Sequence, residues 1–194
     1  MSTPENPGPW GSCRTLEDLG VVTARWLQGE VSYFPGHNNP EEPPLAETKD
    51  LIKVLVSLNH NGYVTTNSQP GQSMTRDGNA QRAFVRGYCS EATYKRIDAA
   101  LYGTELVALP RPPGLYHLCP VPVTTVNGRN FTWAGMSSGE PEAIAREFGG
   151  ALHEKMIEQL VQSWLVDVFD PVWGRTNLLW SKLQEGLVPV YDRT

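Results

Sequence analysis

The chain has 194 residues, 40% of them apolar, and a formal net charge of −5. This length fits one domain, and this apolar content is enough to form a core. A mildly acidic chain lacks the basic surface that neutralises phosphates, so we expect no nucleic-acid partner. No apolar stretch approaches the roughly 18 residues that span a bilayer, so we expect no membrane partner either.

The N-terminal segment and the cysteines indicate the cellular compartment of the protein. Residues 1–13 are rich in proline, glycine and polar residues and lack the apolar core of a signal peptide. We therefore predict a disordered lead-in, followed by a single domain over 14–194. Cys13, Cys89 and Cys119 are widely spaced, which predicts free thiols in the cytoplasm rather than a disulfide framework. The four histidines are also far apart and no phosphate-, dinucleotide- or metal-binding motif occurs, so we predict neither a metal nor a cofactor.

Capping residues and apolar repeats predict two helices in the first third of the chain. Thr15 and Asp18 fit a capping box at the start of a helix over 15–28, in which apolar residues recur three or four positions apart. A second helix over 48–60 ends at an Asn-Gly pair, which supplies the left-handed exit that helix ends prefer.

The next predicted elements are two strands, a helix and a short strand. A strand over 63–69 ends at a Pro-Gly pair, and a second strand over 82–90 follows a polar loop. The length of their connection predicts that these two strands pair as a long hairpin. Ser90 is a suitable N-cap for a third helix. A short strand over 105–109 is then ended by prolines.

The C-terminal half contains the strongest turn signal and the longest apolar repeat. An extended segment over 115–126 leads into Asn127-Gly128, a pair that is typical of a two-residue hairpin turn. Apolar residues that recur every four positions predict a long core helix over 151–169. A last helix is predicted over 177–186.

The order of these elements indicates the fold class. Strands grouped between helices, together with the Asn-Gly hairpin, indicate an α+β fold with one mainly antiparallel sheet. Several helices, including the long C-terminal core helix, pack on that sheet. A small α/β sandwich with some parallel pairing is the alternative.

Seven motifs along the chain have a recognisable arrangement. They are Thr15-Leu-Glu-Asp-Leu-Gly20, Thr23-Ala-Arg-Trp-Leu27, Leu58-Asn59, Gly62-Tyr-Val-Thr-Thr66, Ser68-Gln-Pro-Gly71, Val166-Asp-Val-Phe-Asp-Pro-Val-Trp-Gly-Arg175 and Leu179-Trp180. With these motifs, the chain resembles an uncharacterised protein family common in Streptomyces and related actinobacteria over most of residues 14–183. The resemblance implies a bacterial cytosolic setting and implies no particular reaction. The segment over 115–126 departs most from the family.

Three polar residues at the end of the strand over 63–69 form the first candidate site. Asn67 and Gln69 carry amides and Ser68 a hydroxyl, and these groups can all donate and accept hydrogen bonds. They therefore suit recognition of a polar small molecule. The alternative is turn chemistry, in which Asn67 and Ser68 bond nearby backbone groups before the proline. Three such residues exceed what one turn needs, so we treat them as substrate-binding candidates.

Arg86 and Tyr88 extend this candidate site, because they alternate on one face of the next predicted strand. Hairpin pairing would place them beside Asn67 and Gln69, so that the four side chains line one pocket. Arg86 suits bidentate binding of a carboxylate or phosphate, which predicts an anionic ligand. The alternative is an arginine that reaches solvent past an aromatic ring.

His117 and Cys119 are the catalytic candidates. They lie two residues apart on an extended segment, so their side chains share a face and their Cα atoms are roughly 6.5 Å apart. This spacing is loose for a Cys–His dyad, which needs hydrogen-bond reach. His117 suits proton transfer in any case. For Cys119, and for Cys89 on a neighbouring strand, the alternative is a small buried thiol.

These candidates leave two classes of function. The first is a small-molecule enzyme of actinobacterial specialised metabolism, which acts on a polar, anionic metabolite without a metal or nucleotide cofactor. The second is a non-catalytic small-molecule-binding or protein-interaction module. Titrating groups with shifted pKa values in a deep apolar pocket would favour the enzyme, whereas a shallow site with ordinary side chains would favour the module.

Overall fold

The computed structural model describes residues 8–36, 43–44, 46–115, 118–137 and 139–189. In these residues it confirms the α+β class, and none of the helices there is long and apolar enough to cross a membrane. The helices are α1 Leu16–Leu27, α2 Ile52–His60, α3 Glu91–Leu101, α4 Pro141–Glu147, α5 Glu154–Val161 and α6 Leu178–Leu187. The strands are β1 Tyr63–Gln69, β2 Ala80–Gln81, β3 Phe84–Cys89, β4 Val107–Arg111, β5 Val121–Val126, β6 Arg129–Ala134 and β7 Trp164–Phe169.

The strands form two antiparallel sheets, whereas the sequence predicted one. Strands β1, β3, β7 and β4 lie side by side in that order in the four-stranded sheet, and β2, β5 and β6 form the three-stranded sheet. The predicted early hairpin is present, since β1 pairs with β3 from Tyr63 opposite Cys89 to Gln69 opposite Phe84. The two sheets meet in a small apolar cluster of Phe84, Val123, Ala134 and Phe169.

Local sequence signals explain how the chain enters β1. The capping box at α1 is present, because the Thr15 hydroxyl accepts from the Asp18 N–H at 3.1 Å and the Asp18 carboxylate accepts from the Thr15 N–H at 3.0 Å. Strand β1 has the predicted bounds. Gly62, with φ of 84°, turns the chain directly from α2 into β1. The end of α2 therefore lies beside the start of β1.

The prediction of a long core helix over 151–169 is wrong. Helix α5 ends at Val161, and after a two-residue turn the chain forms β7, which lies between β3 and β4 in the larger sheet. A strand buried on both faces carries apolar residues at consecutive positions, so its pattern can extend a helical repeat without a visible break. Within the predicted range, Leu160 is buried and Trp164 is only partly buried.

The prediction of a disordered lead-in over 1–13 is wrong for its second half. Gly8–Ser12 form a 3-10 helix in which Trp10 is fully buried. The Trp10 indole donates to the carbonyl of Tyr33 at 3.1 Å, and its ring packs against Phe34 with centroids 4.9 Å apart. A large aromatic side chain in a mostly polar segment is enough to anchor that segment to the core.

Strand β4 begins and ends two residues later than predicted, so its C-terminal end extends to Arg111. It contains Pro110, which removes a backbone donor, but β4 is an edge strand and tolerates this loss. In this register Leu109 lies opposite Asp167 and Arg111 lies opposite Leu165. The extension therefore places Arg111 on the larger sheet.

Strands β5 and β6 are joined by a two-residue turn at Asn127-Gly128, with Val126 opposite Arg129. Asn127 has φ of 51° and Gly128 has φ of 71°, the left-handed pair that a type I′ turn requires. Nothing lies within 4 Å of a Cβ added at Gly128. A substitution there therefore tests backbone strain without a steric clash.

We expect Gly128→Val to lower the free energy of unfolding by about 1–2 kcal/mol, because a β-branched residue resists the left-handed conformation. Gly128→Asn is the matched control and should cost less, since asparagine tolerates this region. Urea denaturation of the three proteins measures both differences. Equal stability of the valine variant and the unaltered protein would show that the turn does not need its glycine.

Candidate functional site

A β-bulge interrupts β1 in the middle of the candidate stretch. The register with β3 shifts between Thr65 and Asn67, so Thr66 has no partner on β3. One extra residue reverses the alternation of side chains along the strand, and Thr65 and Ser68 consequently lie on the same face of the sheet. Because β1 is an edge strand, one side of its backbone faces away from the sheet. The bulge therefore presents several polar groups at an open edge.

Asn59, near the end of α2, holds the bulge in place. Its side-chain N–H groups donate to the Thr65 hydroxyl at 2.7 Å and to the Leu55 carbonyl at 2.8 Å, and its side-chain oxygen accepts from the Thr65 N–H at 3.0 Å. Asn59 is 2% exposed, so these bonds form away from solvent. The Thr65 hydroxyl accepts from Asn59 and keeps its own proton to donate to another group.

A cavity of about 190 Å³ lies against this edge, and we call it the edge cavity. Its apolar side consists of Trp26, Leu27, Phe34, Pro44 and Leu55. Its polar side consists of Thr48 and residues 65–68, so the candidates Asn67 and Ser68 both line it. The Thr66 hydroxyl is buried and has no hydrogen-bond partner among the described residues. Every described residue of the lining is apolar or carries a hydroxyl or an amide.

The aromatic residues that line the edge cavity pack against one another and against a further ring in the core. The ring of Phe34 has its centroid 4.9 Å from that of Trp26 and 5.9 Å from that of Phe148. Phe34 is 4% exposed and Trp26 is 9% exposed. Rings packed on several sides keep one orientation. The cavity therefore has a fixed apolar side opposite the fixed bulge.

Gln69 links the two sheets. Its side-chain N–H groups donate to the carbonyl oxygens of Arg82 at 2.9 Å and Val123 at 2.8 Å. Its side-chain oxygen accepts from the Thr124 hydroxyl at 2.8 Å. The groups that suit Gln69 to substrate binding are thus engaged within the protein, and the structure gives this residue a structural role.

Arg86 forms an ion pair with Asp167 of β7. Its Nε and Nη2 atoms donate to the two carboxylate oxygens, each at 2.7 Å, and the Gly135 N–H donates to the same carboxylate. Burial lowers the pKa of Arg86, but the hydrogen bonds and charge of Asp167 outweigh burial, so the pKa is raised overall. The guanidinium that was predicted to hold an anionic ligand is therefore neutralised by the protein itself.

Tyr88 donates its hydroxyl proton to Glu147 of α4 at 2.9 Å. Burial raises the pKa of Tyr88 well above its usual value, and the charge of Glu147 raises it further. Tyr88 lines a second cavity, of about 10 Å³, rather than the edge cavity. The common pocket predicted for Asn67, Gln69, Arg86 and Tyr88 is therefore not formed, because the second sheet and α4 cover the face that Arg86 and Tyr88 share.

The structure describes only one of the two catalytic candidates. His117 lies outside the described residues. Cys119 is exposed, and its N–H donates to the carbonyl of Gly135 at 3.1 Å. Cys89 is buried, and burial raises its pKa to about 12, so little thiolate is present at neutral pH. Among the described residues, no three His, Cys, Asp or Glu side chains form a group that could hold a metal ion.

Comparison with known proteins places the chain in a family. It belongs to the family described as "Domain of unknown function (DUF6919)", whose model matches residues 5–190. It is also 34% identical, over 71 residues or 36% of its length, to Methylenetetrahydrofolate reductase 1 of Schizosaccharomyces pombe. The match spans only 11% of that curated relative, so it carries no argument about function.

Proposed function

We propose that the protein binds a small polar molecule in the edge cavity. The observation that supports this most strongly is the Thr66 hydroxyl, which is buried and lacks a partner among the described residues. A buried polar group left unpaired costs about 1–3 kcal/mol, so a ligand or water is expected to complete its hydrogen bonding. The bulge that places Thr66 at the edge is held by Asn59, which favours a preformed site.

The lining indicates the chemical class of the ligand. Trp26 and Phe34 offer an apolar surface for a planar body, and the hydroxyl and amide groups opposite offer hydrogen bonds. A charged ligand would lose its hydration and find no counter-charge among the described lining residues. The volume of about 190 Å³ is below the roughly 300–1,000 Å³ of sites for drug-sized molecules. We therefore propose a small neutral ligand with a planar body, in place of the anionic metabolite expected from Arg86.

Of the two classes of function, this lining favours the binding module. Acid–base and nucleophilic catalysis need a titrating or activated side chain within hydrogen-bond reach of the substrate, and the described lining supplies hydroxyls and amides. The enzymatic alternative in specialised metabolism stays a prediction from the sequence. An actinobacterial origin and a cytoplasmic location belong to the same proposal, and they rest on the family resemblance and on the three free cysteines.

A pair of probes with the same shape and different charge tests the proposal. Nicotinamide is neutral and nicotinate is an anion, and both have a planar ring. We expect nicotinamide to shift the backbone amide NMR signals of Thr66 and Ser68 and to raise the melting temperature. Nicotinate should do both to a much smaller extent, because its carboxylate finds no counter-charge in the described lining.

Matched serine substitutions provide the control. Ser68→Leu should fill the edge cavity and abolish the nicotinamide response, while the melting temperature without ligand changes by less than about 2 °C. Ser181→Leu makes the same change at an exposed position of α6 and should leave binding unaltered. Equal binding of nicotinate, binding that survives Ser68→Leu, or no response to a panel of neutral aromatic amides would each contradict the proposal.

A further inference from the structure

Arg111, at the end of β4, is a buried cation whose terminal nitrogens lack partners. The residue is 7% exposed, and neither Nη1 nor Nη2 has a hydrogen-bond partner in the part of the chain that the structure describes. Arginine is rarely buried to this degree unless it is paired, because a guanidinium taken out of water loses strong hydration. A group from outside the described protein is therefore expected beside it.

The two carboxylates whose charges act on Arg111 already serve other donors. Asp167 binds Arg86 and the Gly135 N–H, and Glu147 accepts from Tyr88. Formally, these two carboxylates balance the charges of the two arginines. Even so, burial lowers the pKa of Arg111, and although the charge of Asp167 opposes this, the pKa stays lowered overall. Unlike Arg86, Arg111 has no hydrogen-bond acceptor at Nη1 or Nη2 among the described residues.

The space beside Arg111 limits the size of the missing group. Arg111 lines the cavity of about 10 Å³ together with Tyr88, Leu160 and Leu165. This volume is close to the minimum that holds one water molecule, so a metabolite does not fit. The turn over 112–115 forms part of the cavity lining, and its residues 113–115 are exposed to solvent.

We propose that Arg111 binds one halide-sized anion in this cavity. An anion of that size accepts hydrogen bonds from several N–H groups, and charge-assisted hydrogen bonds to a guanidinium are stronger than those of a neutral water molecule. The site is separate from the edge cavity, since the described linings of the two share no residue. The test of this proposal is therefore independent of the function proposed above.

Bromide provides a direct probe of this site. In crystals of the unaltered protein soaked in sodium bromide, we expect an anomalous-scattering peak within hydrogen-bond distance of the Arg111 guanidinium. In solution, replacing sodium gluconate by sodium bromide at constant ionic strength should raise the melting temperature. The rise should be about 2–4 °C at a bromide concentration near five times Kd.

Two methionine substitutions separate this site from general salt effects. Arg111→Met should lose the bromide-dependent rise, whereas Arg129→Met, at an exposed position of β6, should keep it. An ordinary water at the guanidinium, with melting temperatures that do not depend on the anion, would overturn the proposal. A bromide peak whose thermal effect persists in Arg111→Met would also overturn it, because that ion would be adventitious. The crystal measurement decides the question even if Arg111→Met does not fold.

Discussion

Replacing Asp167 with alanine should lower the free energy of unfolding by about 3–5 kcal/mol, because the change leaves the Arg86 guanidinium buried without its counter-charge. The Asp167 side chain is 1% exposed and the Arg86 side chain is 13% exposed. The same change removes the acceptor of the Gly135 N–H. Urea denaturation followed by circular dichroism measures the loss.

The reason for this loss is desolvation rather than the strength of the ion pair, and a double substitution distinguishes the two. Removing both partners in Arg86→Met/Asp167→Leu should recover much of the stability, because no uncompensated charge remains. Glu30→Ala is the control at a surface pair, whose side chains are about half exposed, and should cost at most about 1 kcal/mol. A loss below 1 kcal/mol for Asp167→Ala would mean that water reaches Arg86.

Local signals were the part of the fold that could be predicted from the sequence. The capping box of Thr15 and Asp18, the bounds of β1 and the Ser90 N-cap all depend on residues within a few positions of each other. The side chain of Ser90 accepts from the Thr93 N–H at 3.1 Å, as an N-cap does. Such local signals predict the same structure regardless of which other elements pack against them.

Long-range packing was the part that could not be predicted. Residues 164–169 became a central strand because β3 and β4 lie on either side of them, and neither neighbour is visible in the local pattern. The same holds for the face of Arg86 and Tyr88. Strand alternation correctly placed them on one face, but it does not show that Asp167 and Glu147 meet them there.

The candidate site was predicted in part for a similar reason. Asn67 and Ser68 line the edge cavity, whereas Thr66 was missed because a bulge leaves no mark in the sequence beyond a run of polar residues. Trp26 lies on a helix and is mostly buried, and Phe34 lies in a loop with no periodicity, so neither is recognisable as a cavity residue from the sequence. A pocket formed by a strand edge, a helix end and a loop depends on how these three segments pack together, and this packing cannot be predicted from any one segment of the sequence.

Gln69→Met should lower the free energy of unfolding by about 2–4 kcal/mol, because methionine has a similar length and cannot make the hydrogen bonds that join the two sheets. The carbonyl of Arg82 would lose the amide donor of Gln69, and the Thr124 hydroxyl would lose its acceptor. Each buried group left unpaired costs about 1–3 kcal/mol. Gln72→Met makes the same change at an exposed position and should alter stability by less than about 0.5 kcal/mol.

This substitution also decides between the two roles of Gln69. If Gln69 joins the sheets, the variant should melt at a lower temperature, and below that temperature it should still bind nicotinamide through Thr66 and Ser68. If Gln69 contacts the ligand, as the sequence alone predicts, stability should be unchanged and the nicotinamide-dependent NMR shifts should disappear. The three hydrogen bonds of its amide to other parts of the protein favour the first result.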